Sequence, residues 1–455
     1  YLTEETNEAA YVRFDFGSDD YALRFSGNLG LRYVNLSRDA IGSIQYPDLV
    51  PTRQVPDGIS LPLTRPAVEA WVTQQAQALV DEGEHATLEE AAAAVLASDS
   101  ARWIGDETNY LSNTERGFGN NAFTLEQASA KYRTVLPSFN LRLDLTDELI
   151  ARFAVAKAIA LPDMEAVKNQ ANLGTIAINI IRPDVDPADP NADSGILGAE
   201  VAGWRGSSGN PALKPMESVQ YDASLEWYFA HVGSLTTTLF YKDLSNFFIY
   251  GAFPRQFTNP ESGVTQLVEL EGTRNGGDGS MQGFEIAYQQ FYDMLPAPWD
   301  GLGLQLNYTY IESSGVPNSG DSSADDYEGT SNDTGARVNF DKVPLQGQSK
   351  ETFNIVGMYD KYDWSVRLAY NWRSKYLLTT RDVISKYPLW NDDAGFLDGS
   401  VFYNINDNVT VGMQFTNLLN TQTKTIMILD GEGAEAGRSW FVNDRRAALI
   451  LRANF

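Results

Sequence analysis

The chain has 455 residues, 60 acidic against 34 basic, for a net charge of −26, so a phosphate backbone would be repelled and nucleic acid is not an expected partner. Mean hydropathy is −0.30 and no apolar run of ~18 residues occurs, which excludes helical membrane spans and leaves a closed barrel as the other permitted way across a bilayer. Cysteine is absent, which removes disulfide frameworks and thiolate metal sites and fits export through an oxidising periplasm.

From residue 10 onward the sequence alternates apolar and polar positions in short stretches. The first lies near 10–16. The next, 23–33, puts Leu23, Phe25, Leu29, Leu31 and Tyr33 on one face and Arg24, Ser26, Asn28 and Arg32 on the other. A long segment at 37–126 follows, with a helical insert over 64–99. Thr64 followed by Pro66 is a helix start, Val68, Trp71, Val72 and Leu79 share one side, and Thr87 with Glu90 forms a capping box for a second helix. The insert reads as a surface lid, or as a gate that contributes to a ligand site. Strands are predicted next at 135–145, 148–158, 217–229, 234–246, 280–290, 302–312, 349–359, 363–375, 396–404, 408–418 and 444–455. The total is about thirteen, each near the ~10 residues of a tilted spanning strand.

A half-buried sheet in a soluble protein shows the same alternation. Aromatic placement decides for the membrane. On the face Trp364, Val366, Leu368, Tyr370, Trp372 and on the face Leu302, Leu304, Leu306, Tyr308, Tyr310, aromatic residues flank an aliphatic middle as interfacial girdles do. Connections alternate as well. Tight Gly-, Asp- or Asn-rich turns at 17–20, 146–147, 230–233, 360–362 and 404–408, with a longer one at 293–300, separate long segments at 37–126, 161–216, 251–279, 313–347, 376–395 and 419–443. Short periplasmic turns alternating with long extracellular loops are the asymmetry of an outer-membrane barrel. On this orientation the first and last strands both descend, so the chain is expected to be the C-terminal part of a larger, even-stranded barrel. The lumen-facing Arg24, Arg32, Arg142, Arg152, Arg367, Arg373 and Arg452 are expected to meet acidic groups of a plug or of facing strands.

The loops offer few chemical motifs. Asp184, Asp186, Asp189, Asn191 and Asp193 alternate like a calcium loop but lack the central Gly and closing Glu of an EF-hand, and with 321–333 they read as solvated acidic loop. His85 in the insert and His231 in a periplasmic turn are expected on opposite sides of the membrane, so no histidine pair makes a metal site and no Ser, His, Asp group is visible. Neither catalysis nor a cofactor is expected, although paired carboxylates or a lone Lys base leave no sequence signature and stay open. The loop aromatics Trp204, Tyr250, Phe253, Phe257, Tyr376, Tyr387, Trp390 and Trp440 stand among many Asp and Asn residues, a mixture that suits stacking on sugar rings with hydrogen bonds to hydroxyls.

Several strings carry a family likeness. Leu136-Pro137-Ser138-Phe139-Asn140-Leu141-Arg142, Leu145-Thr146-Asp147-Glu148 and Arg152-Phe153-Ala154 resemble a hairpin of TonB-dependent outer-membrane receptors. Gly209-Asn210-Pro211-Ala212-Leu213-Lys214-Pro215, Leu239-Phe240-Tyr241-Lys242-Asp243 and Phe415-Thr416-Asn417-Leu418-Leu419-Asn420 are similar to further strings of that family, nearest its Caulobacter and Xanthomonas large-loop receptors. The resemblance implies an all-β transmembrane barrel of about 22 strands around an N-terminal plug. The plug and coupling box are not in this sequence. The likeness also implies a Gram-negative outer-membrane location beside lipopolysaccharide, energy from the TonB–ExbB–ExbD system, recognition of Phe455 by the barrel-assembly machinery, and import of a scarce small-molecule nutrient. An oligosaccharide is the expected substrate and a ferric siderophore the competitor. A passive porin or an adhesin barrel are the further alternatives.

Overall fold

The structure, a computed structural model, describes residues 1–19, 23–183, 195–315, 344–380, 382, 385, 387–429 and 433–454. The acidic runs at 184–193 and 321–333 and the terminal Phe455 lie outside the described residues.

In chain order, β1 (Leu2–Ser18) and β2 (Arg24–Gln45) form a hairpin, followed by α1 (Arg65–Asp81), α2 (Leu88–Ala97) and α3 (Asn113–Phe118). β3 (Phe123–Asp144) returns along β2, and β4 (Leu149–Ala160) pairs with it. The short β5 (Ala171–Thr175), β6 (Ile178–Ile181), β7 (Gly198–Val201) and β8 (Trp204–Ser208) lead to β9 (Met216–Ala230) and β10 (Gly233–Ser245). The hairpin β11 (Phe248–Thr258) and β12 (Thr265–Asn275) precedes β13 (Gly279–Phe291), β14 (Leu302–Ser314), β15 (Glu351–Lys361) and β16 (Trp364–Arg373). Then come β17 (Tyr376–Thr379), β18 (Leu389–Asn391), β19 (Ala394–Asn406), β20 (Val409–Thr416), β21 (Gln422–Ile428), β22 (Glu435–Val442) and β23 (Arg446–Ala453).

One antiparallel ladder forms the wall, in the order β1, β2, β3, β4, β9, β10, β13, β14, β15, β16, β19, β20, β23. Each stretch read as a strand from the sequence is a rung of it. Register carries the alternation sideways across the wall. Leu141 stands opposite Phe153, which stands opposite Ala223, and the row continues through Leu239, Phe284 and Tyr310. On the other face, Ser26, Arg142, Arg152, Ser224, Thr238, Glu285, Thr309, Thr352 and Arg373 form an equally continuous row. The sheet is therefore apolar on one side and wet on the other along its whole width. Because a period of two locks face to position, a slip of one residue on any strand would exchange the two rows. No described helix is long and apolar enough to cross a membrane.

Beyond the long-loop end of the wall stands a cap with its own core. Phe118, Leu111, Ile44, Phe257, Val268 and Leu270 are almost wholly buried together, with Trp204 edge-on to Phe118 at 4.6 Å. Here the structure departs from the sequence reading, which takes 251–279 as one of the long loops between predicted strands. Most of that segment is the β11–β12 hairpin. Its apolar positions alternate like those of the wall, but they face the insert and β8, not a membrane. β2 and β3 also run on past the wall into the cap, each to 22 residues. Within the insert, Val72 and Ala76 of α1 pack on Ala91 and Val95 of α2. Thr87 caps α2 by accepting from the Glu90 backbone N–H at 3.2 Å, but only this half of the expected box is made. The reciprocal pair closes at Ser112 and Glu115 on α3, a signal the sequence reading passed over.

Candidate functional site

At the base of the cap a cleft of about 780 Å3 opens between the 161–170 connection, the ends of β5 and β8, and the β11–β12 hairpin where it leaves the wall. Its walls carry Asp163, Glu165, Lys168, Gln170, Asn172, Ser207, Tyr250, Glu271 and Thr273, with Leu161, Phe248 and Ile249 as apolar floor. The backbone at Gly209 passes so close to the Lys168 carbonyl that a Cβ there would collide with it, so glycine is needed for the 161–170 connection to lie on the strand end. Three carboxylates face one ammonium. Lys168 is bonded to Glu165 and lies 5.5 Å over the Tyr1 ring, while the Tyr1 hydroxyl donates to Glu165 at 3.1 Å. Those two donors hold the Glu165 carboxyl below its usual range. The cleft thus combines an exposed aromatic ring, hydroxyls, amides and a net negative charge.

The aromatic residues singled out from the sequence do not gather into one surface. Tyr250 lines the cleft and is 54 % exposed. Trp204 does not present a stacking face, because its ring is packed into the cap core, and Phe257 lies in the same core. Phe253 packs against that core from its edge. A second group sits on the small sheet β17–β18–β21–β22. There Tyr376 lies under the Arg373 guanidinium at 3.7 Å, and Trp390 lies 6.0 Å from the Lys375 ammonium with its buried indole N–H unpartnered among the described residues. Tyr387 accepts through its carbonyl from the Asp382 N–H at 2.9 Å, and Trp440 on β22 is largely exposed.

All seven arginines expected to face the lumen lie on the polar face by register. Arg24 meets Asp147 at 2.6 Å, Arg142 meets Asp144 at 2.7 Å, and Arg152 donates to both carboxylate oxygens of Glu226. Arg373 bonds the Ser349 hydroxyl and the Gly347 carbonyl, and Arg452 lies over Phe402. Among the described residues Arg32 and Arg367 have no carboxylate partner. His85 stands between α1 and α2 and His231 in the β9–β10 turn, at opposite ends of the wall. No group of three or more His, Cys, Asp or Glu suited to a metal occurs among the described residues.

Sequence reasoning missed the carboxylates that fasten the cap and the small β17–β18–β21–β22 sheet. Burial alone would raise Asp106, but donors from Thr108, Thr52 and Arg53 outweigh it and its pKa falls. Glu115 is lowered in the same way. Against its burial stand the Ser112 hydroxyl and N–H and the Val201 N–H, which ties α3 to β7 across 86 positions. Asp382 accepts from the Ser385 N–H and hydroxyl, both at 2.9 Å, and from Arg438, which brings its pKa down to about 2. Their only sequence signal is the Asx- or capping-type spacing of two or three residues.

A one-sided wall with an arginine-bearing wet face and a folded cap over its long-loop end matches what the family strings imply, and the family model for the TonB-dependent receptor-like β-barrel fits residues 2–418. The chain belongs to that family. This receptor barrel accordingly lies in the Gram-negative outer membrane, its apolar row against lipid and its polar row toward the lumen. Solved structures similar to the receptor include a siderophore receptor of Acinetobacter baumannii (14 % identity, 99 % of this chain and 55 % of that one, TM-score 0.44). Others are a ferric-catecholate import receptor of E. coli K12 (12 %, 99 % and 45 %, 0.48) and a copper transporter (12 %, 100 % and 48 %, 0.49). The chain spans about half the length of the solved structures it matches. No curated protein matches its sequence.

Proposed function

We propose that the receptor takes part in TonB-dependent import of a scarce small molecule, captured first in the cleft beneath the cap. Energy would reach it from the TonB–ExbB–ExbD system through a plug, and lumenal arginines of the polar row would meet that plug. As in receptors and transporters generally, the reading is capture and passage, not turnover. The observation that carries the ligand class is the cleft's composition: Tyr250 exposed among Asn172, Ser207 and Thr273, with Asp163, Glu165 and Glu271 outnumbering Lys168. A strongly anionic chelate would be repelled there, whereas an uncharged, hydroxyl-rich ligand can stack on the ring and donate to carboxylates. An oligosaccharide fits that description. A ferric chelate is the second reading, favoured by the Arg373–Tyr376 stack and by Arg32 and Arg367, which have no carboxylate partners among the described residues.

Calorimetric titration of the intact receptor with a glycan panel and with ferric chelates of differing charge tests both. Glycan binding that Tyr250→Ala weakens about tenfold is the expected result; since stacking one ring is worth roughly 1–1.5 kcal/mol, this loss is of the right size. Binding of anionic ferric chelates alone, sensitive to Arg373→Ala and indifferent to Tyr250→Ala, would overturn the sugar reading.

A further inference from the structure

The wall is not evenly zipped. β3 pairs with β4 only from Ser138–Ala156 down to Asp144–Ile150, although β3 extends up to Phe123 and β4 up to Ala160. Pro137, which has no N–H to give a ladder, stands where the two strands part. Above it a fork opens, bridged by the hydrogen bond from Tyr132 to Glu217 of β9. On the lipid side of the fork lies a groove of about 500 Å3 lined by Phe14, Leu29, Leu31, Phe139 and Val155, with Lys157 at its upper rim.

Height in the membrane follows from the strand itself. A strand tilted ~40° climbs ~2.5 Å per residue, so from Leu149, opposite Trp227 at the short-turn end, to Lys157 is ~20 Å of an apolar band ~25 Å tall. By the same measure Leu29, Phe139 and Val155 stand ~12–15 Å up, so the groove runs from about the midplane into the outer leaflet, and Lys157 marks its upper end near the headgroups. Two more cations point outward in the fork itself, on either side of the bridging Tyr132. Lys131 and Arg133 alternate with the half-buried Tyr132 and buried Thr134 on β3, and both are exposed. Among the described residues Lys131 has no partner and Arg133 bonds only the Asn35 amide, at 3.1 Å, whereas Lys157 is paired with Glu217 at 2.9 Å. In a chain of net charge −26, two outward cations without carboxylate partners directly above an apolar groove are selective for one chemistry.

We infer that the fork is a binding site for lipid A of lipopolysaccharide, one acyl chain lying in the groove and a phosphate held by Lys131 and Arg133. The charge pattern fits phosphorylated sugar at that height, and the apolar lining fits a saturated chain that would otherwise have to pass over a dent in the wall. The occupancy is structural: it seals the fork where the ladder is missing.

Native mass spectrometry of the intact receptor, extracted from outer membrane in mild detergent, tests it. The expected result is lipopolysaccharide retained on the wild type and at least tenfold less on Lys131→Glu/Arg133→Glu, with heat-modifiable migration showing that the variant barrel is folded. Val155→Trp, which fills the groove, should release lipopolysaccharide to the same degree while leaving the cations in place. Equal retention by wild type and charge-reversed receptor, absence of lipopolysaccharide from the wild type, or retention of glycerophospholipid in its stead would overturn the assignment. None of these outcomes depends on which nutrient the cleft takes.

Discussion

Leu239, Leu451 and Leu449 on the wall stand 58, 70 and 78 % exposed, whereas Leu111, Phe118 and Leu270 in the cap are at 0 %. Both regions are built from strands with a period of two, and both place leucine and phenylalanine on one face. The wall leaves that face bare because the bilayer is its solvent, so its stability comes from the ladder and the lipid. The cap, standing in water, must cover its apolar faces with its own helices and hairpins. Alternation is therefore a statement about two environments and does not say which two. The partners available in space decide that.

The comparison can be tested most severely in the cap. Phe118→Ala removes the ring on which Tyr46 and Trp204 pack edge-on and should cost about 3–5 kcal/mol of cap stability. Limited proteolysis should then cut within 46–122 while heat-modifiable migration of the wall persists. Loss of both together would mean that cap and wall fold as one unit.

Arg38 sits at the seam between the two regions. It is 2 % exposed, pairs with Glu5 across β1–β2 at 2.7 Å, and donates to the Pro211 and Leu213 carbonyls at 3.0 Å. Arg38→Met strands the Glu5 carboxylate and two acceptors, and about 3–5 kcal/mol of destabilisation is expected. Hydrogen exchange should show release of 209–215 ahead of the strands.

In the wall, Leu239→Arg is expected to cost about 2–4 kcal/mol when unfolding is followed in lipid vesicles, although the side chain meets no protein core. Little change there would sink the assignment of this face to hydrocarbon. The smallest effect belongs to Asp382. Its carboxyl, held at about 2 against an ordinary 3.8, contributes stability that is fully present above the ordinary value and is lost as pH falls through about 2. Fluorescence of Trp390 on the neighbouring strand should shift between about pH 4 and pH 2 in the wild type, and Asp382→Asn should abolish that dependence.

Much of the wall was legible because each strand states its own two faces. Arg142 and Arg152, for example, read as wet-facing from local alternation, and the register sets them side by side. The cleft was not legible in the same way. Tyr250 and Lys168 meet only because β5, β8, β11 and β12 stack in an order the chain does not follow, with parallel contacts of β2 to β5 and β8 to β12. Trp204 shows the limit of residue type as evidence. An aromatic in a polar loop suits a ligand surface equally well as a core, and here Phe118, 86 positions earlier, claims it. The Tyr376, Trp390 and Trp440 positions met on one small sheet for the same non-local reason.

By itself the sequence determined which side chains alternate, where the short turns fall and that the wall has one greasy and one wet face, since a period of two and turn chemistry are properties of neighbouring residues. The tertiary structure alone decided which apolar faces meet lipid and which meet each other, where the ladder opens at Pro137, and that a cleft forms beneath the cap. Each of these depends on contacts between segments far apart in the chain, and local periodicity carries no information about them.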